Sequence, residues 1–545
     1  NDGDHAGERE RLTYLLDGSD TGWRINWQYG KYTDPNNNTY KVWMDEKMAL
    51  PRNDEQAAYF LPAIQNFVNG PTGLVYNPGT ALSPDYYDHF FVAEFRGSPS
   101  RSQIHAFKMK PDGAGFALDS THIIAKQILP TGLDFGPEGA LYYGDWINGW
   151  GTKDEGRIWK LDRGAAAGAE LGIRNEVEKL ITTDFKEVSK EQLLALLGHQ
   201  DQRIRRKAQF FLAENIPGAF GDFQQVAANA ESPQLARIHA LWGMAQMIRR
   251  GYEDGNDAFA IFLRDKDSEI VAQAAKMIGD LKITSAFPAL IERLRNSDPR
   301  VRFFAMEALG RTQEPTAVGP IVEMLRANDG QDAWLRHGGM IALGRIGDEM
   351  AMRELSADPS RNIRLIAVVA LRRMESEQVK AFLMDEDEYV VAEAARAIND
   401  DYTIPGAMSP LAQILNTRVW TSEPLIRRII NANLNIGNQR TVDNLIAYAN
   451  NTANPATMRA EALATLAHWD DPSLFDRVDG RYRGQRKKDA TYVKAQLGKE
   501  LSALLASKEA PVQRAAIGVA AGLGITEVTE QMIGLLRSAK APATR

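Results

Sequence analysis

There is no cysteine among the 545 residues. That removes disulfides, thiolate metal sites, thiol nucleophiles and a covalently attached c-type haem from the chemistry of this chain. No run of 18 or more apolar residues occurs, so no segment reads as a membrane-spanning helix. Excess charge of one sign is also lacking: the formal net charge is −7 with 25% of residues charged, which points to neither a nucleic-acid backbone nor an anionic membrane surface. Histidine is sparse. His5, His89, His105 and His122 stand singly, without a partner at metal-ligand spacing, and read as satisfied structural residues. What is there is 44% hydrophobic, enough to bury a large core in more than one domain. The opening Asn-Asp-Gly-Asp resembles neither a leader nor the start of a domain, and the chain reads as a fragment.

Two grammars divide the chain. Between Leu74 and Leu161, short apolar or aromatic runs are separated by glycine, proline and aspartate, the pattern of strands and turns. Phe90–Phe95, Ile104–Phe107 and Ile123–Ala125 are strand-length, with Pro111-Asp112-Gly113 as a turn. The clearest unit runs from Gly132 through Gly136-Pro137-Glu138-Gly139 to Trp146 and closes with Gly156–Leu161. Such a unit fits a propeller blade, and a blade buries its faces only between neighbours, so further blades are expected before Asn1. Residues 1–70, with scattered tryptophans and Pro35-Asn36-Asn37-Asn38, read as a long irregular excursion.

From Glu191 onward apolar residues recur at helical spacing. Aspartate, asparagine or serine, often followed by proline, opens helix after helix, as in Asp298-Pro299, Asp358-Pro359, Ser232-Pro233 and Asn454-Pro455. A ruler through Arg205, Arg237, Val271, Arg302, Arg336, Arg364, Val391, Arg427 and Arg459 steps by 27 to 36 residues, the period of a helical hairpin. The units resemble HEAT repeats, whose helix pairs stack into a solenoid. The expected architecture is therefore a β-propeller portion (all-β) over residues 1–165, a linker over 166–188 and an all-α HEAT-like solenoid over 189–545. An inserted loop is expected near 470–490, where Asp476–Arg483 breaks the period. The arginine ruler is expected to pair with aspartates of adjacent units rather than to bind a polyanion.

The string Gly70–Leu74, Tyr76–Thr80, Phe90-Phe91, Phe95-Arg96-Gly97, Asp145-Trp146 and Gly149-Trp150 is similar to the sugar dehydrogenases related to quinoprotein glucose and sorbosone dehydrogenases, in their multidomain bacterial form of propeller, HEAT repeats and cytochrome c domain. Asp17–Arg24 and Asp476–Arg483 carry the same resemblance. It implies an extracytoplasmic protein, in the periplasm or at the cell surface, that oxidises a sugar or alcohol with pyrroloquinoline quinone (PQQ) and calcium. Electrons would pass to haem c in a domain outside this chain, and any membrane association would come through parts not present. No catalytic residue is assigned, and the fragment alone is expected to be inactive.

The candidate binding residues are Arg96 and Arg157, which can hold a carboxylate or hydroxyl bidentately, Asp134 and Asp145 beside the best hairpin, and Trp146 as a stacking surface. Each has a plainer reading: ion pairing, turn closure, and packing together with Trp150. Asp2, Asp4 and Asp20 are the calcium candidates, although Asn1–Asp4 is too short to supply the six to eight oxygens calcium takes. The alternative function is a non-catalytic carbohydrate-binding or scaffold protein, with a protein partner on the solenoid.

Overall fold

The computed structural model describes residues 10–22, 24, 40–151, 154–163, 169–400 and 402–538. They divide into two compact units: Asn1–Thr21 with Leu61–Ile346, and Gly22–Phe60 with Gly347–Arg545.

The first unit opens with β1 (Arg11–Leu12), which pairs antiparallel with β2 (Gln65–Asn66). Two further antiparallel sheets follow. One is the meander β3 (Pro71–Tyr76), β4 (Phe90–Glu94), β5 (Gln103–Asp112) and β6 (Gly115–Lys126); the other is β7 (Pro130–Phe135), β8 (Leu141–Asp145) and β9 (Arg157–Leu161). Alternation explains them: Phe91 and Ala106 of the first sheet and Leu141 of the second turn to one shared core with Leu82.

These strands do not make a propeller, and the expected β-propeller portion is corrected. The described β structure is three open sheets of two, four and three strands; the structure is 56% helical, and no closed barrel occurs among the described residues. Glycine-punctuated runs dictate hairpins, which are local; closure round an axis depends on faces that sequence spacing does not specify. Here the sheets join the start of the helical array instead. Thr80 Oγ1 donates to Asp201 at 2.5 Å, and Gln202 N–H donates to the carbonyl of Pro78 at 2.8 Å. Asp201 also accepts from Arg203, which reaches the carbonyl of Gly136 at 2.8 Å. Gly79 has φ +107°, and a Cβ there would lie 2.5 Å from the carbonyl oxygen of Gln200, so the joint admits no side chain at this position. Farther along, the hairpin tip between β5 and β6 meets the array again, the N–H of Ala114 donating to Asp332 at 2.7 Å.

The helices form pairs. The second helices of successive pairs in the first unit are Gln202–Asn215, Gln234–Arg249, Ser268–Leu281, Pro299–Thr312 and Ala333–Ile346, each packed on the next. Within the second unit the corresponding helices are Arg361–Arg373, Glu388–Asn399, Glu423–Ile436, Ala456–Ala467 and Ala510–Leu523, each packed on the next. Asp201, Asp267, Asp298 and Asp387 cap their helices by accepting a backbone N–H two residues on, satisfying donors that a helix start leaves orphaned. The ruler arginines close the preceding loops. Arg205, Arg302 and Arg364 each donate to carbonyls there, and Arg237 and Arg364 reach Asp265 and Asp385 of the following pair. Close approach is set by small residues: a Cβ on Gly279 would sit 2.7 Å from Cα of Ala308, and one on Gly310 2.5 Å from Cα of Ala342.

In the second unit, residues 470–490 are largely irregular, tied by the bridge between Phe475 and Tyr482. Residues 40–60 carry the short helix Val42–Asp45 and a buried charge cluster. Glu46 accepts from Arg396 at 2.9 Å, Arg428 at 2.7 Å and the Tyr40 hydroxyl at 2.9 Å. Arg428 also donates to Asp400 at 2.8 Å, and the Glu46, Arg396 and Arg428 side chains are at most 2% exposed. Burial alone would raise the Glu46 carboxyl, but Arg428 and then Arg396 outweigh it and hold the pKa below its ordinary value of 4.5.

Glu46→Gln leaves two buried guanidinium groups without that anion and is expected to cost about 3–5 kcal/mol, measured by urea unfolding. Because the folded pKa of Glu46 is depressed, its contribution is complete above the unfolded value and is lost as pH falls through the lower folded one. An acid titration of stability should show this loss in the wild type and a shallower one in Glu46→Gln.

Candidate functional site

In the first unit the row of second helices carries a groove of about 780 Å³. Its floor follows from repeat register. Phe210, Trp242 and Lys276 stand five residues after the ruler positions Arg205, Arg237 and Val271, so equivalent side chains from three successive helices line up. Phe304 and Arg300 of the next helix extend the lining. Nine residues after the ruler runs a polar row, Glu214, Gln246, Asp280, Arg311 and Arg345. Gln246 donates to Glu214 at 3.3 Å, and Arg311 pairs with Asp280 at 2.9 Å.

The wall carries two separate chains of hydrogen bonds. Gln209 donates to Gln246 at 3.1 Å and lies 2.8 Å from Nδ1 of His239; Trp242 Nε1 donates to Gln273 at 3.0 Å; Gln273 donates to Glu269 at 2.6 Å; and Glu269 accepts from Arg300 at 2.7 Å. Burial, helped by Arg205, pushes the pKa of His239 down to about 4, so at neutral pH it is an uncharged imidazole whose Nδ1–H serves Gln209. Phe210 is 47% exposed, which leaves an aromatic surface open between the polar rows.

At one end the groove is met by the chain itself. Tyr14 lines it and packs edge-on against Phe116 at 5.0 Å. Three residues on, Asp17 is clamped by Arg311 at 2.6 Å and by Arg345, and its carbonyl accepts from Nε2 of His337 at 3.0 Å. Burial would raise the Asp17 carboxyl, but Arg345 and then Arg311 hold it below its ordinary range. The helices Pro299–Thr312 and Ala333–Ile346 therefore already carry irregular polypeptide on the row that lines the groove.

The residues singled out from sequence are partly brought together. Asp145 is 5% exposed and accepts from the N–H groups of Leu129 and Ile147, from Nε of Arg157 at 3.1 Å and from Nε1 of Trp159 at 2.9 Å. Burial would raise its pKa, but the Trp159 bond and the two backbone donors outweigh it. Arg157 spans Asp145 and the Trp159 ring, and Trp146 donates from its indole to the carbonyl of Gly151. Arg96 and Asp134 are exposed and lie outside this cluster. The backbone N–H of Arg96 donates to Ser102, and Asp134 accepts from the N–H of Phe135. Trp150 is 74% exposed and meets Phe95 edge-on. Asp2 and Asp4 lie outside the described residues, and among those described no group of three or more metal-binding side chains occurs. Phe210, Trp242 and Asp17 were not among the residues expected from sequence; counting five and nine residues from the ruler finds the groove, whereas nothing in residues 10–22 announces the clamp.

A family model for HEAT repeats matches residues 256–336 and 287–355. This stretch is built of HEAT repeats. No curated protein matches the sequence. Among solved structures, yeast importin-β (Kap95p) is 13% identical over 69% of this chain and 58% of its own, with a TM-score of 0.33. A Kap121p mutant is 12% identical over 69% and 46%, with a TM-score of 0.40. Human deoxyhypusine hydroxylase is 16% identical over 58% and 99%, with a TM-score of 0.19. Likenesses this distant carry nothing about activity. The expectation of a PQQ sugar dehydrogenase, an oxidoreductase, is corrected: the matched family is the HEAT repeat, and the structure is mostly helical, with no propeller among the described residues.

Asp17→Asn should loosen the clamp without unfolding the unit. The pairs are partly exposed, so the global cost is expected to be about 1 kcal/mol or less, while hydrogen exchange at the amides of residues 11–20 rises.

Proposed function

We propose that this chain is a protein-interaction scaffold and that the groove over Phe210, Trp242 and Lys276 takes an extended stretch of a partner polypeptide. One observation carries the reading: the groove continues along the same row of helices that already holds Tyr14 and Asp17 of this chain. Stacked repeats present equivalent side chains at a regular spacing, which suits an elongated ligand better than a compact one. The polar rows offer amide and charged partners for backbone and side chains, and the exposed ring of Phe210 with the indole of Trp242 supplies the apolar anchor that dominates such interfaces. HEAT repeats over residues 256–355 are consistent with this use.

The test is selection of displayed random peptides on the full chain, followed by titration of the tightest by fluorescence anisotropy. Phe210→Ala with Trp242→Ala should weaken that peptide at least about tenfold, the loss expected of a hot-spot anchor, with an unchanged circular dichroism spectrum. Equal affinity for both proteins would place the docking surface elsewhere.

A further inference from the structure

The outer strand of the three-stranded sheet has unused pairing capacity. β9 (Arg157–Leu161) borders only β8 among the described residues. The N–H of Trp146 donates to the carbonyl of Leu129, and alternate residues of an antiparallel strand turn their backbone groups to opposite sides. Gly144 and Tyr142 therefore face β7, while Asp145 and Tyr143 face β9 and engage Arg157 and Trp159 opposite them. The N–H and C=O groups of Ile158 and Lys160 are left pointing away from the sheet.

Natural edges are blunted by proline, bulges or free charge. β9 has none of these. Its register with β8 is unbroken, its sequence contains no proline, and its cations are tied back into the sheet, Arg157 to Asp145 at 3.1 Å and Lys160 to Glu138 at 3.0 Å. Ile158 is 78% exposed and Trp159 40% exposed.

We propose that β9 pairs antiparallel with the β9 of a second copy of this chain, about a two-fold axis at Trp159. The choice of a second copy rests on self-complementarity. Centred there, Arg157 falls opposite Leu161 and Ile158 opposite Lys160, so no cation faces a cation directly across the ladder. The outward groups of Ile158 and Lys160 are then the hydrogen-bonded pair, Trp159 meets Trp159 in a non-hydrogen-bonded pair, and the three-stranded sheet of each copy joins into one continuous sheet.

The absence of cysteine makes the register directly testable in the full chain. In a non-hydrogen-bonded antiparallel pair the Cα atoms are about 4.5 Å apart, within disulfide reach. Trp159→Cys should therefore form a covalent dimer on mild oxidation. Ile158→Cys should not, since its counterpart lies on a diagonal of about 7–8 Å. Independently, sedimentation equilibrium of the unmodified chain should show a monomer–dimer equilibrium that Ile158→Pro abolishes, because proline removes an outward N–H and leaves the bonds to β8 intact. A chain that stays monomeric at every concentration, a dimer that Ile158→Pro leaves unchanged, or crosslinking through Ile158→Cys in preference to Trp159→Cys would each overturn the proposal.

Discussion

A pair of helices about thirty residues long has more apolar surface than its own two members can cover, and this single excess organises the chain. Each pair must lay its second helix against the next. The small residues at Gly279 and Gly310 let successive backbones close to distances a side chain would prevent, and the capping aspartates and loop-closing arginines then fix the angle at which the chain leaves one pair for the next. Stacking also has a by-product. Side chains that face away from the shared core fall into rows at constant register, and a row of equivalent positions is a surface with a direction. The groove over Phe210, Trp242 and Lys276 is such a row.

In each unit, a stretch from the first sixty residues is held by charge on the helices of that unit. The two attachments differ in physics. Asp17 meets Arg311 and Arg345 where water still reaches, so the contact orients the segment at small energetic consequence. Glu46, Arg396, Arg428 and Asp400 are shut away from water. There the balance of desolvation against pairing is large on both sides, and removing one member exposes the whole cost. The first pairing can be broken at little cost, whereas breaking the second is costly.

How much of this was legible beforehand follows from the range of each interaction. Helix starts, the repeat ruler and the individual strands depend on neighbours a few residues away, and Asp298-Pro299 or Phe90–Glu94 announce themselves in sequence. The pairing of ruler arginines with aspartates of the following helical pair, Arg237 with Asp265 and Arg364 with Asp385, follows from the repeat itself. Closure into a propeller was a different kind of inference. It required the sheets to find further sheets, while Thr80 and Asp201 join them to a helix start more than a hundred residues away. Glu46 was equally invisible, a glutamate between Asp45 and Lys47 that is paired by two arginines 350 and 382 residues later.

Asp145 shows why a polar cluster in a strand-rich region need not be a binding site. Its carboxylate oxygens accept two backbone N–H groups, an indole and a guanidinium, a set of donors that fills the capacity of a buried carboxylate and keeps it ionised. A ligand reaching it would have to displace one of these and leave a buried donor without a partner, at a cost no single new hydrogen bond recovers. The same saturation has a consequence one strand away. With Arg157 and Trp159 drawn inward to Asp145, the side chains that would ordinarily guard an edge are occupied, and the backbone of β9 is left as the accessible feature of that sheet.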